Sequence, residues 1–117
     1  MKKMRIDSYT FGSITVNGKR YTSDLIVFPD KIQSYWQRLD SHILNLDDLK
    51  EVMEYGPEIL VVGRGGSNCM VVPEDTKKTL EEMNVKVLDT NTDDACQIFN
   101  DLTSDGKKVV GAFHLTC

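Results

Sequence analysis

Ile59-Leu60-Val61-Val62-Gly63-Arg64-Gly65-Gly66-Ser67 is the stretch on which the fold turns. Its first four residues are apolar without interruption, the pattern of a buried strand. That strand opens directly into glycines and one fixed cation, where main-chain N–H groups can approach an anion closely. Upstream, Asn45 is placed to cap a helix carrying Leu46, Leu49, Val52 and Met53 on one face. Gly56-Pro57 stops that helix. Downstream, Pro73 suits the first turn of a second helix, with Glu74 and Asp75 at its positive dipole end. This helix is expected to bury Leu80 and Met83 and to end near Asn84. Residues 85–88 read as a strand. Thr92 or Asn91 then caps a third helix with Ala95, Phe99 and Leu102 inward, Gly106 ends it, and residues 109–113 form a last strand. Strand–helix alternation at this spacing predicts a layered α/β core with parallel neighbours.

The first third of the chain is extended instead. Residues 11–16 alternate, with Ile14 and Val16 on one side and Ser13 and Thr15 on the other. Asn17-Gly18 follows, a strong hairpin signal because both residue types tolerate positive φ. Tyr21-Thr22 and the run Leu25-Ile26-Val27-Phe28, stopped by Pro29-Asp30, complete a two- or three-stranded antiparallel unit over about residues 9–28. Residues 31–38 carry a weaker strand signal. The hairpin makes the whole sheet mixed.

At 117 residues the chain is one domain, residues 1–117, long enough to bury roughly two-thirds of its unfolded surface. A formal net charge of −4 with scattered Lys and Arg excludes a sequence-independent nucleic-acid binder, which needs a basic face. The basic start Met1-Lys2-Lys3-Met4-Arg5 leads into polar residues 6–10 rather than the apolar core of a signal peptide. No run approaches a membrane span. Three cysteines, at 69, 96 and 117, fit reduced thiols and a cytoplasmic location better than a disulfide framework. Cys96 reads as a small core hydrophobe.

Ligands of layered α/β sheets sit at the carboxyl ends of the strands, which carry Gly63, Arg64, Gly65, Gly66 and Ser67 and, one strand over, Asp89-Thr90-Asn91-Thr92. If these strands are neighbours, both loops border one crevice. Arg64 would supply a planar donor fork for a carboxylate or phosphate, and Gly65, Gly66 and Ser67 would supply main-chain donors and a hydroxyl. Neither a dinucleotide fingerprint nor a P-loop is present, so no cofactor is expected. Cys69 lies near a helix start and Arg64, both of which favour a thiolate, yet neither His42 nor His114 can be placed beside it, and no catalytic residue is assigned. A metal site is not expected either. On a continuing strand His114 and Cys117, three residues apart, would point to opposite faces, and no CxxC or HxxxH supplies further ligands. Trp36, Arg38 and His42 form a candidate interaction surface, with arginine stacked on tryptophan. Against it stands a tryptophan packed at the sheet edge with Arg38 lying over it. The pairs Asp47-Asp48 and Asp93-Asp94 are helix-start charges.

Taken in order, these residues carry a family resemblance. Phe11-Gly12-Ser13-Ile14-Thr15-Val16-Asn17-Gly18, then Tyr21 with Ser23-Asp24-Leu25-Ile26-Val27-Phe28-Pro29-Asp30, resembles the Mth-like domain family of unknown function. The resemblance continues through Trp36-Gln37-Arg38, His42, Leu60-Val61-Val62-Gly63-Arg64-Gly65, Thr92 with Ala95, and Phe99-Asn100, and closes at Gly111-Ala112-Phe113-His114-Leu115-Thr116-Cys117. It implies a single three-layer α/β domain with a mixed central sheet and a hairpin-rich side layer, in a prokaryotic, archaeal member. It implies no enzyme activity. A mitochondrial complex I assembly factor of that family acts through protein contacts, which points to a non-catalytic protein-binding or assembly module with a protein partner or a homo-oligomer. The alternative is a small-anion-binding protein or enzyme using residues 63–67 and Arg64. Ser41 stands where the family often has a glycine before the histidine.

Overall fold

The computed structural model describes residues 3–117; Met1 and Lys2, the start of the basic run, lie outside the described residues. Three strands, β1 (Ile6–Thr10), β2 (Ser13–Val16) and β3 (Lys19–Tyr21), form an antiparallel meander. Its second turn is the predicted one, with Asn17 at φ 48° and Gly18 at φ 81° between paired Val16 and Lys19. Five further strands make a mixed sheet: β4 (Leu25–Val27), β5 (Ile32–Gln33), β6 (Ile59–Arg64), β7 (Lys86–Thr90) and β8 (Val109–His114), in the order β5-β4-β8-β6-β7. The β6 strand is parallel to both neighbours, β7 and β8, while β4 runs antiparallel to β8.

One boundary differs from expectation. Residues 25–28 leave the hairpin unit and enter the large sheet, Leu25 facing Phe113 and Val27 facing Gly111 across the register. All three β4 residues are buried. A strand apolar on both faces needs cover on both sides, which a small ribbon cannot give it.

The two sides of the large sheet hold two cores. On one side Ile26, Phe28, Leu60, Val62, Val110 and Ala112 meet Leu44, Leu49, Val52 and Leu80, which come from the 40s loop and from two helices. Those helices are α1 (Lys50–Tyr55), entered through a 3-10 turn at Leu46–Leu49, and α2 (Glu74–Glu82). Gly56, at φ 69°, ends α1 as the left-handed cap the sequence implies. Met83, expected inside, is 46% exposed, because α2 ends at Glu82 and the chain has already turned away. On the other side Leu25, Val27, Val61, Val109 and Phe113 meet the meander and α3 (Thr92–Ser104), with Ala95, Cys96 and Phe99 inward. The Asn100 amide joins α3 to β1, accepting from Ile6 N–H at 2.9 Å and donating to its carbonyl at 2.8 Å. The result is the three-layer mixed α/β domain the resemblance implies. No helix among the described residues is long and apolar enough to cross a membrane.

Candidate functional site

Parallel pairing brings the ends of β6, β7 and β8 to one edge, with Gly63 opposite both Thr90 and Phe113, and Arg64 opposite His114. Residues 63–67 and Thr90 are thus neighbours, as expected. The space between them is filled by the chain's own last residues. Gly66 N–H donates to Thr116 O at 2.7 Å, Ser67 N–H to Cys117 O at 3.3 Å and Cys69 N–H to Cys117 O at 2.9 Å. Gly65, at φ 101°, lies so close to the Cys117 backbone that a Cβ there would overlap it. Glycine serves here for left-handed geometry and close approach, and the acceptors it brings in are carbonyls of the same chain.

Other groups of the loop are engaged as well, although Ser67 is exposed. Gly65 N–H donates to Thr92 Oγ1 at 2.8 Å, and that buried hydroxyl donates in turn to His114 O at 2.5 Å. One threonine therefore ties the ends of β6 and β8 to the start of α3. Arg64 does not project into an open crevice. Its Nε donates to Met70 O at 2.8 Å, and its Nη1 lies 3.7 Å from Asp89, which Lys77 also pairs at 3.0 Å. The anion fork expected of Arg64 is turned back onto its own loop. One cleft of the molecule, of about 440 Å³, lies elsewhere, between β1 and α3, lined by Arg5, Asp7, Asn17 and Asn100 among others.

A second polar group lies at the same edge and is assembled from distant positions. Asp24, just before β4, accepts at Oδ1 from Leu115 N–H at 2.9 Å. Its Oδ2 lies 2.8 Å from His114 Nδ1 and 2.9 Å from Arg38 Nη1. The Arg38 side chain is only 3% exposed; it also donates to Ser41 O at 2.7 Å, and its guanidinium sits 4.8 Å from the Trp36 ring centroid. Trp36 is buried, with Nε1 donating to Asp48 O at 3.0 Å. The stacked pair is as expected, but Trp36 and Arg38 do not form a surface. Trp36 packs in the core with the Arg38 side chain buried against it, and of the three proposed surface residues only His42 is exposed. Asp48 does more than charge a helix start. Its carboxylate accepts from Leu39 N–H at 3.0 Å and Asn45 N–H at 2.9 Å, fixing the loop that carries Arg38 and His42.

Burial pushes the Asp24 carboxyl up, but the hydrogen bonds from His114 and Leu115, with the His114 and Arg38 charges, outweigh it and leave the group below its usual range. In the neutral ring, the Asp24 carboxylate on Nδ1 favours the proton on that nitrogen, which Arg38 Nη2 also approaches at 3.2 Å, and the lone pair then falls on Nε2. This Nε2 is buried and has no partner among the described residues. Strand β8 ends at His114, so the alternation that would separate His114 from Cys117 does not extend to Cys117. The chain bends back, and His42, His114 and Cys117 bring one donor atom each within 4.8 Å of one another. His42 Nε2 lies 3.4 Å from Cys117 Sγ, and the two imidazoles meet edge to face at 5.8 Å. Cys69 is exposed; its contact with the Cys117 thiol, then burial, pushes its own thiol up, opposite to the direction an activated nucleophile needs. Cys96 is pushed up to about 12, by burial first and then by Asp93.

Asp24 is the central residue that sequence reasoning did not single out. The signal available was an acid set directly before three fully buried strand residues, a place where a carboxylate needs a cation.

The same architecture occurs in solved structures. A conserved hypothetical protein, PH1505 from Pyrococcus horikoshii, superposes with a TM-score of 0.84 at 23% identity, over 97% of this chain and 100% of that one. A protein from Bordetella parapertussis gives 0.80 at 25% identity, over 97% and 96%. A Mth938-like domain from Bordetella pertussis gives 0.78 at 20% identity, over 96% and 85%. With the model of that family matching residues 6–114, nearly the whole described chain, this protein belongs to the protein family of unknown function DUF498/DUF598.

Proposed function

We propose that this domain is a non-catalytic protein-binding or assembly module whose contact face surrounds residues 65–71 and 115–117. One observation carries the proposal: the main-chain N–H groups of residues 65–71 are consumed internally, while large apolar side chains are left exposed around them. Phe11, 68% exposed, lies at one end, where a Cβ on Gly66 would meet its ring at 3.5 Å. Val71, 51% exposed, and Ile43, 39% exposed, are bridged to each other at the other end. Apolar side chains grouped around a rigid, self-satisfied backbone suit a protein surface better than a small polar ligand. The face is stiff because the last residues are held by both the loop and the meander, Tyr9 Oη and Gly12 N–H both donating to Leu115 O, at 2.9 and 2.8 Å.

Site-specific photocrosslinking tests this reading. A photoreactive side chain in place of Val71 is expected to give a discrete product in native extract, abolished by Phe11→Ser. The same group in place of exposed Gln97 on α3 serves as the control. A product of twice the chain mass would make the partner a second copy. No product from position 71, or equal products from both positions, would overturn the proposal.

A further inference from the structure

Three segments distant in sequence converge on one corner of this edge: the 40s loop with His42, the loop after β6 with Cys69, and the end of β8 with His114 and, three residues on, Cys117. We propose that His42, His114 and Cys117, with Cys69 as fourth ligand, form a binding site for a borderline-soft transition-metal ion of the zinc class. Two imidazole nitrogens and two sulfurs are the donor set such an ion selects over magnesium or calcium.

The geometry supports the site from several directions. Tetrahedral zinc with bonds of about 2.0–2.3 Å places its donors about 3.3–3.8 Å apart. His42 Nε2 and Cys117 Sγ are already 3.4 Å apart, and the three-residue set lies within 4.8 Å, so closing it takes about an ångström of movement. His42 is exposed and free to supply that movement. His114 is the fixed ligand. Asp24 holds Nδ1 at 2.8 Å, and Nε2, buried and unpartnered, is the one donor it has left to give. A carboxylate on the far nitrogen is the usual outer-shell support of a metal-bound histidine, because it sets the tautomer and raises ligand basicity. Arg38 Nη1 balances the charge on the same Asp24 oxygen at 2.9 Å, with its Nη2 3.2 Å from His114 Nδ1. Cys69 lies outside the 4.8 Å set, but its thiol contacts that of Cys117 and its N–H donates to Cys117 O at 2.9 Å. Binding would displace thiol protons and clamp residues 115–117 against the 40s loop.

Cobalt(II) is the probe, added to the reduced, metal-free full chain, with zinc(II) in competition. One equivalent is expected to give tetrahedral visible bands and a sulfur-to-cobalt charge-transfer band, both erased by zinc. Zinc is also expected to raise the thermal midpoint of the parent protein. His42→Ala, at an exposed position, and Cys117→Ser are expected to abolish the charge-transfer band at one equivalent while leaving the circular dichroism of the fold unchanged. Asp24→Asn, a positioning change, is expected to weaken cobalt affinity roughly 10–100-fold. Cys69→Ser is expected to keep a charge-transfer band of reduced intensity; full intensity would remove Cys69 from the ligand set. A parent protein with neither bands nor midpoint shift, or bands persisting at parent affinity in the folded His42→Ala and Cys117→Ser variants, would overturn the site.

Discussion

The glycine loop at residues 63–70 and the Asp24–Arg38–His114 group lie on the same edge of one sheet, yet they reach order by opposite routes. The loop is a continuous stretch whose glycines announce it, and its donors close on carbonyls of the chain's own end. The polar group is assembled from three separate segments and leaves a buried ring nitrogen unpartnered. A local motif reports backbone conformation first, whereas unsatisfied chemistry is more informative of a site when distant residues have been brought together to make it.

If that contrast is right, the polar group carries the larger share of stability. Asp24→Ala strips the partner from a guanidinium that is 3% exposed and is expected to cost about 3–5 kcal/mol in urea unfolding. An Asp24→Ala, Arg38→Met double variant is expected to recover part of that loss, since the buried guanidinium is then gone. The effect is pH-dependent with a definite sign. The Asp24 carboxyl is lowered in the fold, so its contribution is complete above the unfolded value of about 3.9 and is lost as pH falls through the lower folded value. The gap between parent and Asp24→Ala should therefore close in acid, below about pH 4. A gap that widened in acid would contradict the pairing.

Within the loop the two adjacent glycines are expected to part company. Gly65→Ala places a side chain at φ 101° and against the Cys117 backbone, with an expected loss of about 1–3 kcal/mol. Gly66→Ala meets its neighbours at 3.5 Å or more and is expected to stay within about 0.5 kcal/mol of the parent. Equal costs at both positions would mean that the loop, rather than the docked chain end, sets the requirement. The smallest effect is kinetic. Under native conditions a thiol reagent at mildly alkaline pH should modify exposed Cys69 before Cys96, whose thiol is buried and held near 12. Mass spectrometry of the singly labelled protein reads the order.

Much of the architecture was legible where pattern is local. Asn17-Gly18 marked its turn and Gly56 its helix end, and the apolar run at residues 59–62 marked the central strand. Met83 and residues 25–28 were misplaced because periodicity tells which residues want cover but not which element supplies it. The candidate site was legible only in its glycines. Trp36 and Arg38 were recognised as a stacked pair, either on a surface or packed at the sheet edge, but the pattern could not decide between these, because the acid that pairs Arg38 lies 14 residues upstream and one imidazole neighbour 76 residues downstream. His114 and Cys117 were set on opposite faces by extending a strand that ends at His114.

By itself, then, the sequence determined most of the strand and helix segments, the turns between most of them and the family, because each rests on side-chain pattern or conformational preference within a few residues. Tertiary structure alone decided that β8 slots between β4 and β6, that the chain end fills the glycine loop, and that Asp24, Arg38, His42, His114 and Cys117 meet. Those outcomes depend on which buried surfaces find each other across the whole chain, and no local preference encodes that choice.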